Sequence, residues 1–344
     1  MTDSIKKITD KITDVIGRPI HDLRISVTDR CNYRCPYCMP AEIFGERYHF
    51  LPREEVLSYE EIARVTHLFT DLGVRKVRVT GGEPLVRLDI EKMIEQLCAI
   101  EAVEDLTLTT NGYLLADHAL LLKAAGLERI TVSLDTLDPK IYAQMNGRAY
   151  GPERTLAGIE AAAAAGLSPI KINAVVERGV NDHTVVDLAR HFKATGHIVR
   201  FIEFMDVGNL NAWELSKVVP SAELARRINV EMPIEPIDAN YPGEVAERWR
   251  YVDGGGEIGF ISSVTQPFCA GCTRARLSPE GKLFTCLFAS DGTDLKEPLR
   301  EGATDHELRE LIAGVWKSRT DRYSELRAAG GSGVRKVEMY HIGG

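Results

Sequence analysis

The sequence predicts an α/β protein: an open partial (β/α)6 barrel of parallel strands, TIM-like in its winding, with a smaller C-terminal α+β region closing the open side. Three observations carry this. From Asp22 to about Gly208, six apolar strand-like runs alternate with helix-like patterns, and such units place their strands in parallel with helices outside. Six units fall short of the eight that close a barrel, which favours an open, partial one; a doubly wound sheet is the structural alternative. After about residue 210 the alternation stops and hairpin-like stretches take over. The implied division is an N-terminal helical segment (1–21), the partial barrel (22–209) and a C-terminal region (210–344).

The elements are justified in chain order. Ile5, Ile8, Ile12 and Val15 share one side of a short amphipathic helix pattern in "MTDSIKKITDKITDVIG". The strands read "LRISVT" (23–28), "KVRVT" (76–80), "LTLTT" (106–110), "ITVSL" (130–134), "IKINAVV" (170–176) and "IVRFIEF" (198–204). Between them lie helix patterns such as "SYEEIARVTHLFTDLG" and "DPKIYAQMNG", several opening on Ser or Asp and ending on Gly, the usual start and stop signals. The alanine run at 161–165 is simply good helix. Beyond 210, "PSAELARRI" and "TDHELRELIAGVWKS" predict helices. "AERWRYVDGGGEIGFISSV" and "TRARLSPEGKLFTCLF" predict hairpins turning at glycines.

Composition narrows the function. Of 344 residues, 44% are hydrophobic and 27% charged, which argues against disorder. A net charge of −8 excludes a general nucleic-acid binder, although a few local arginines suffice for one triphosphate. There is no apolar run long enough to span a membrane and no apolar signal-peptide core. A cytoplasmic protein is expected.

There are seven cysteines, and in a reducing compartment clustered ones are metal ligands or catalytic groups before they are disulfides. Cys98, in the helix pattern "KMIEQLCAIE", reads as a small buried apolar residue. The others form two groups of three. Cys31-x3-Cys35-x2-Cys38 lies on the loop after the first strand. A structural zinc would need a fourth ligand, His49 or a distant Cys, whereas a four-iron cluster can be held by three thiolates with one iron left open. The spacing is not that of a zinc finger, which favours the cluster. Cys269-x2-Cys272-x13-Cys286 again offers three thiols, where a zinc ribbon needs Cys-x2-Cys twice. Arg274 and Arg276, two apart in an extended chain, point the same way and suit an anion beside that site.

Unusual residues fall at the other strand ends too: "GGEP" (81–84), "TTNG" with Thr109 and Asn111, "SLD" with Ser133 and Asp135, and "EFMDVG" with Met205. Gly81 and Gly82 would let backbone approach a ligand closely. Taken singly, Asn111 and Asp135 are ordinary turn or cap residues, and Thr109 and Ser133 plain strand residues. Their alignment at one end of the strands points to one site.

The cysteine loop, with Tyr37 before its third cysteine, and "GGEP" after the second strand resemble the signature of the radical S-adenosylmethionine (SAM) enzymes. Within them, "DLRISVTDRCNYRCPYCMP", "RVTGGEPLVR", "TLTTNG", "ITVSLDTL", "FIEFMDVG", the second cysteine set with Arg-x-Arg and the Gly-Gly end resemble the GTP 3′,8-cyclases, over nearly the whole chain. Tyr33 stands where phenylalanine is common in that family.

The resemblance implies an enzyme, a lyase. It would convert GTP to (8S)-3′,8-cyclo-7,8-dihydroguanosine 5′-triphosphate, the first committed step of molybdenum cofactor biosynthesis, by hydrogen abstraction at ribose C3′. It implies two [4Fe–4S] clusters, one on Cys31, Cys35 and Cys38 and one on Cys269, Cys272 and Cys286. SAM contacts map to Tyr37, Gly82, Ser133 and Met205. GTP contacts map to Arg24, Arg78, Thr109, Lys171, Arg274, Arg276 and, through backbone, Thr273 and Ala275. It further implies a reductase- or flavodoxin-type electron donor, a downstream cyclic pyranopterin monophosphate synthase, no nucleic-acid or membrane partner, and a monomer or homodimer. In that family the Gly-Gly end enters the site; otherwise a glycine-rich end is a frayed tail, and His341 packing or solvated. The alternatives are a radical SAM enzyme that modifies peptides and uses an auxiliary cluster, or a non-enzymatic iron–sulfur or zinc module.

Overall fold

The computed structural model describes residues 12–241, 243–327 and 335–343. Its first half runs β1 (Asp22–Ser26), α1 (Tyr59–Asp71), β2 (Lys76–Thr80), α2 (Ile90–Cys98), β3 (Asp105–Thr110), α3 (Leu115–Ala124), β4 (Arg129–Ser133), α4 (Pro139–Asn146), α5 (Glu153–Ala164), β5 (Ile170–Val176), α6 (Val185–Phe192) and β6 (Ile198–Glu203). The second half runs α7 (Ser221–Glu231), β7 (Ile234–Ile237), β8 (Glu247–Tyr251), β9 (Glu257–Ile261), β10 (Arg274–Leu277), β11 (Lys282–Phe284), β12 (Thr293–Asp294), α8 (Lys296–Arg300), α9 (Asp305–Lys317), α10 (Tyr323–Leu326) and α11 (Met339–Ile342).

Among the described residues, the strands join one sheet of order β12-β11-β10-β1-β2-β3-β4-β5-β6-β9-β8-β7. Strands β1 to β6 are parallel and lie in sequence order with no reversal, which is barrel winding rather than double winding. The sheet does not close. The C-terminal region extends both of its edges: β10 pairs parallel with β1, β9 pairs parallel with β6, and antiparallel strands continue outside each. A segment distant in sequence is thereby registered against the first strand, with Arg24 opposite Arg276.

The strands are not apolar on both faces, as continuous apolar runs would imply. In β5, Ile170, Ile172, Ala174 and Val176 are buried, while Lys171, Asn173 and Val175 between them are only half-buried. β1 alternates likewise, with Leu23 and Ile25 buried and Arg24 on the other face. The period-two alternation sends one set to the helices and the other into the barrel interior, which is a cavity and tolerates polar groups.

Helix starts obey local chemistry. Ser58 with Glu61 and Thr304 with Glu307 form reciprocal capping boxes on α1 and α9, and Asp138 caps α4. Asp89, by contrast, precedes α2 in a left-handed conformation without capping it. Cys98 is exposed, not buried, because Ile90, Met93, Ile94 and Leu97 already occupy the inward face of α2.

The proposed N-terminal helix is partly outside the described residues, at 1–11, including Ile5 and Ile8. From residue 12 onward the chain forms a turn instead of a helix: Thr13 bridges Pro19, and Asp14 accepts the backbone N–H groups of Ile16 and Arg18. An aspartate that captures nearby backbone donors competes with the helix, and Gly17 takes a positive φ of 85°. Val15 is 63% exposed, so the apolar stripe expected there is not buried.

Among the described residues no helix is long and apolar enough to cross a membrane.

Glu203, fully buried at the end of β6, ties the two halves together. Its carboxylate accepts N–H groups of Ser221, Val264 and Thr265, each at 2.8 Å, and the Thr265 hydroxyl at 2.5 Å. Glu203→Gln turns an amide N–H₂ toward these donors. It is expected to cost about 2–4 kcal/mol in denaturant unfolding, from one or two buried donors left unmatched.

Candidate active site

One cavity lies on the polar face of the strands and is walled by both cysteine groups. Cys31, Cys35 and Cys38 border it with Tyr37, Gly82, Ser133 and Met205. Cys269, Cys272 and Cys286 border it with Arg24, Arg78, Thr109, Lys171, Thr273, Arg274 and Arg276. Ala275 is not in the wall: its side chain is fully buried on the other face of β10, opposite Leu23, so only its backbone is available to a ligand. His49 is exposed and outside the wall. Among the described residues no three His, Cys, Asp or Glu side chains converge on a single ion, and all seven thiols are free.

The first cysteine loop is folded by its own backbone and by a buried arginine. Cys38 N donates to Cys35 O at 3.0 Å, and Arg34 donates to the carbonyls of Cys31 (2.7 Å), Tyr33 (2.6 Å) and Phe44 (2.6 Å). The "GGEP" turn clamps the base of this loop: Gly82 N donates to Thr28 O at 2.7 Å and Glu83 N to Arg30 O at 2.8 Å. A Cβ on Gly82 would collide with Arg30 O, so this glycine is required first by the cysteine loop, before any ligand.

Two carboxylates serve this end. Glu83, which sequence reasoning passed over, accepts the Thr110 hydroxyl and Asn111 N–H, both at 2.7 Å, and Leu85 N–H at 3.1 Å. Burial pushes its pKa up to about 7 against those hydrogen bonds. Asp135 accepts the Tyr37 hydroxyl at 2.8 Å and Val175 N–H at 2.9 Å, and burial raises it to about 6. Asn111 donates to Asn32 Oδ1 at 2.7 Å, inside the cysteine loop. Neither Asn111 nor Asp135 is thus a simple cap.

The other end is cationic. Arg24 is lowered to about 9 by burial, with Arg78 and Arg274 adding repulsion. Arg78 falls to about 9 by burial and then Arg200, and Lys171 to about 7 by burial and then Arg200. Arg78 and Arg200 donate to neutral groups, Arg78 to Thr109 (2.8 Å) and Thr131 (3.1 Å) and Arg200 to Asn173 (2.9 Å). Lys76 and Arg200 also line this wall. Both were missed, although each obeys the same alternation as Arg78 and Lys171. Burial would raise the Cys272 thiol, but Arg274 and Arg319 overcome it and bring it down to about 6.

The chain's end docks beside this wall. Arg276 Nη1 donates to Ile342 O at 3.3 Å and to Gly343 O, and Gly343 lies against Thr80. Tyr340 pairs hydroxyls with Tyr48 at 2.9 Å and packs edge-on against Phe44. His341 is neither solvated nor merely packed, because Nε2 meets Glu280 Oε1 at 2.7 Å. Gly344 is outside the described residues.

A parallel partial barrel whose first βα loop presents three thiols beside a glycine turn defines the radical SAM class, and residues 25–192 match the radical SAM superfamily model. The crystal structure of Streptococcus suis SuiB bound to S-adenosylmethionine shares the fold, with a TM-score of 0.60 at 16% identity over 92% of this chain and 77% of that one. Residues 197–325 match the Molybdenum Cofactor Synthesis C model. The chain is 51% identical to the GTP 3′,8-cyclase of Acidothermus cellulolyticus, over 98% of this chain and 100% of that protein. It is 50% identical to that of Xanthomonas campestris pv. campestris (96% and 97%) and 48% identical to that of Staphylococcus saprophyticus (98% and 100%). It belongs to the GTP 3′,8-cyclase family of radical SAM enzymes.

Proposed function

We propose that this chain converts GTP to 3′,8-cyclo-7,8-dihydro-GTP with SAM and two four-iron clusters, one at each end of the cavity. The observation that carries this reading is one cavity that joins two triads of free thiols through a row of cations. Each triad fits an iron–sulfur cluster by donor chemistry: three thiols, with no fourth cysteine left to complete either set, since Cys98 stands exposed on α2.

Cys31, Cys35 and Cys38 would hold the first cluster and Cys269, Cys272 and Cys286 the second. When bound, cluster and SAM supply the 5′-deoxyadenosyl radical that removes the C3′ hydrogen of the ribose. The chain's own residues do the rest. Tyr37, braced by Asp135, with Gly82, Ser133 and Met205, would seat SAM. Arg24, Arg78, Thr109, Lys171, Arg274, Arg276 and the backbone at Thr273 and Ala275 would seat GTP. Arginines that lower one another's affinity for protons gain most when a polyanion enters, so the charge row both attracts the triphosphate and fixes where C3′ and C8 come to rest. The reading brings with it a reductase- or flavodoxin-type electron donor, a cyclic pyranopterin monophosphate synthase as consumer, and a cytoplasmic setting.

Anaerobic reconstitution and then addition of dithionite, SAM and GTP tests it. Iron near eight per chain and 5′-deoxyadenosine formed in step with GTP loss are expected. SAM cleavage that leaves GTP intact would overturn it.

Lys171 adds a pH signature. With its pKa lowered to about 7 by burial and the neighbouring cations it is largely neutral above that pH, and a bound triphosphate raises it again. Binding above pH 7 then takes up a proton, so GTP affinity should fall by up to about tenfold per pH unit until the bound-state value is passed. Calorimetry from about pH 6.5 to 9 reads this, and Lys171→Gln should flatten the slope.

A further inference from the structure

Against the second cysteine triad lies a buried ionic plate that meets the proposed GTP contacts only at Arg274. It joins Asp14 and Arg18, near the start of the chain, to Arg319 near its end, at 6%, 3% and 4% exposure. The Asp14 carboxylate pairs with Arg18 Nε at 2.5 Å and with Arg319 Nη1 at 3.5 Å. Arg18 Nη1 donates to the carbonyls of Cys269 (2.9 Å) and Asp321 (2.8 Å). Arg319 donates through Nη1 to Cys272 O at 2.7 Å and through Nη2 to Cys272 Sγ at 3.2 Å. Arg274 Nη2 reaches the same sulfur at 3.3 Å. Trp316 holds the plate in place: its Nε1 donates to Arg18 O at 3.1 Å, and the Arg319 guanidinium lies over its ring at 4.6 Å.

The charges do not cancel. Three guanidiniums, Arg18, Arg274 and Arg319, stand against two carboxylates, Asp14 and Asp321, the latter 3.5 Å from Arg319 Nε. The first triad has more acidic surroundings, three carboxylates against the single cation Arg34. Glu83, Asp135 and Glu338 act on Cys31, Cys35 and Cys38 respectively. The Cys31 sulfur accepts only neutral donors, Tyr33 N–H at 3.4 Å and Asn111 Nδ2 at 3.9 Å. Arg34, the cation beside it, is turned onto backbone carbonyls. Reduction adds negative charge to a cluster. Charged N–H···S hydrogen bonds and nearby cations stabilise the reduced form, and carboxylates oppose it.

We infer that Arg319 is a positioning residue which, with Arg274, makes the second cluster easier to reduce than the first, so that the chain itself orders electron uptake by the two. The inference rests on the two-cluster reading under Proposed function.

The test is an EPR-monitored potentiometric titration of the full-length, reconstituted protein without SAM or GTP, with iron counted on every sample. Two reduction waves are expected, and the one absent from a Cys269→Ala/Cys272→Ala/Cys286→Ala variant should be the less negative. Arg319→Gln should lower the reduced-to-oxidised ratio of that wave about tenfold at fixed potential, equivalent to about 59 mV for one electron, and leave the other in place. Asp14→Asn, which removes a carboxylate from the plate, should move the same wave the opposite way. If Arg319→Gln loses the second set of irons, the sign of the Asp14→Asn shift decides. Eight irons with coincident waves, or with waves that neither variant moves, would overturn the inference. Four irons in the unaltered protein would instead overturn the two-cluster reading.

Discussion

Replacing Cys269, Cys272 and Cys286 together with alanine should remove about half the iron and take GTP conversion below detection, while SAM cleavage without coupling to GTP survives. The triads are built by different parts of the sheet. The first stands on the loop after β1, held by Arg34 and the "GGEP" turn. The second lies between β9 and β10 and just past β11, held by Arg18 and Arg319. Effects at sites that share no partners add independently, so losing one triad should leave the other loaded. The converse variant, with alanine at Cys31, Cys35 and Cys38, should abolish SAM cleavage outright and keep the second set of irons. Iron and sulfide per chain, with 5′-deoxyadenosine and residual GTP measured on the same samples, read both. Unchanged iron in the first variant would mean that the second triad ligates nothing.

Arg276→Ala should raise the KM for GTP by about 10- to 150-fold, the worth of one charge-assisted hydrogen bond at about 1.5–3 kcal/mol. Arg276 is almost wholly buried, and β10 pairing places it level with Arg24. It has a second task, donating to the carbonyls of Ile342 and Gly343. The variant should therefore also speed amide exchange across 339–343, a change that loss of a phosphate contact alone would not produce. Arg276→Lys should recover little of either, since one ammonium cannot reproduce a planar fork that serves two carbonyls and an anion. An unchanged KM would remove Arg276 from the GTP site. An unchanged exchange rate would show that the tail is held by Tyr340 and His341 without it.

Much of the site is written in local patterns. The βα alternation set β1 to β6 in order, and parallel winding carries every strand's C-terminal end to one side. For that reason Tyr37, Gly82, Thr109 and Ser133 could be placed around one cavity from sequence. Lys76 and Arg200 were within reach of the same reasoning once the strands are seen to alternate. Cys98 was misplaced because a helix face is decided by the neighbours that claim it, here Met93, Ile94 and Leu97.

Other features have no local trace. The Asp14–Arg319 pair spans 305 positions, and an isolated aspartate or arginine reads as surface until burial brings the two together. The His341–Glu280 contact and the docking of the tail on Arg276 are of the same kind.

By itself, then, the sequence determined the βα alternation and the grouping of six thiols into two sets of three, because periodicity and residue spacing are properties of short segments. Only the tertiary structure decided that the second triad returns to the edge of the first strand, and which charges stand behind each. Edge pairing and buried ion networks are long-range choices, made where hydrogen-bonding edges and unpaired charges must be satisfied away from water.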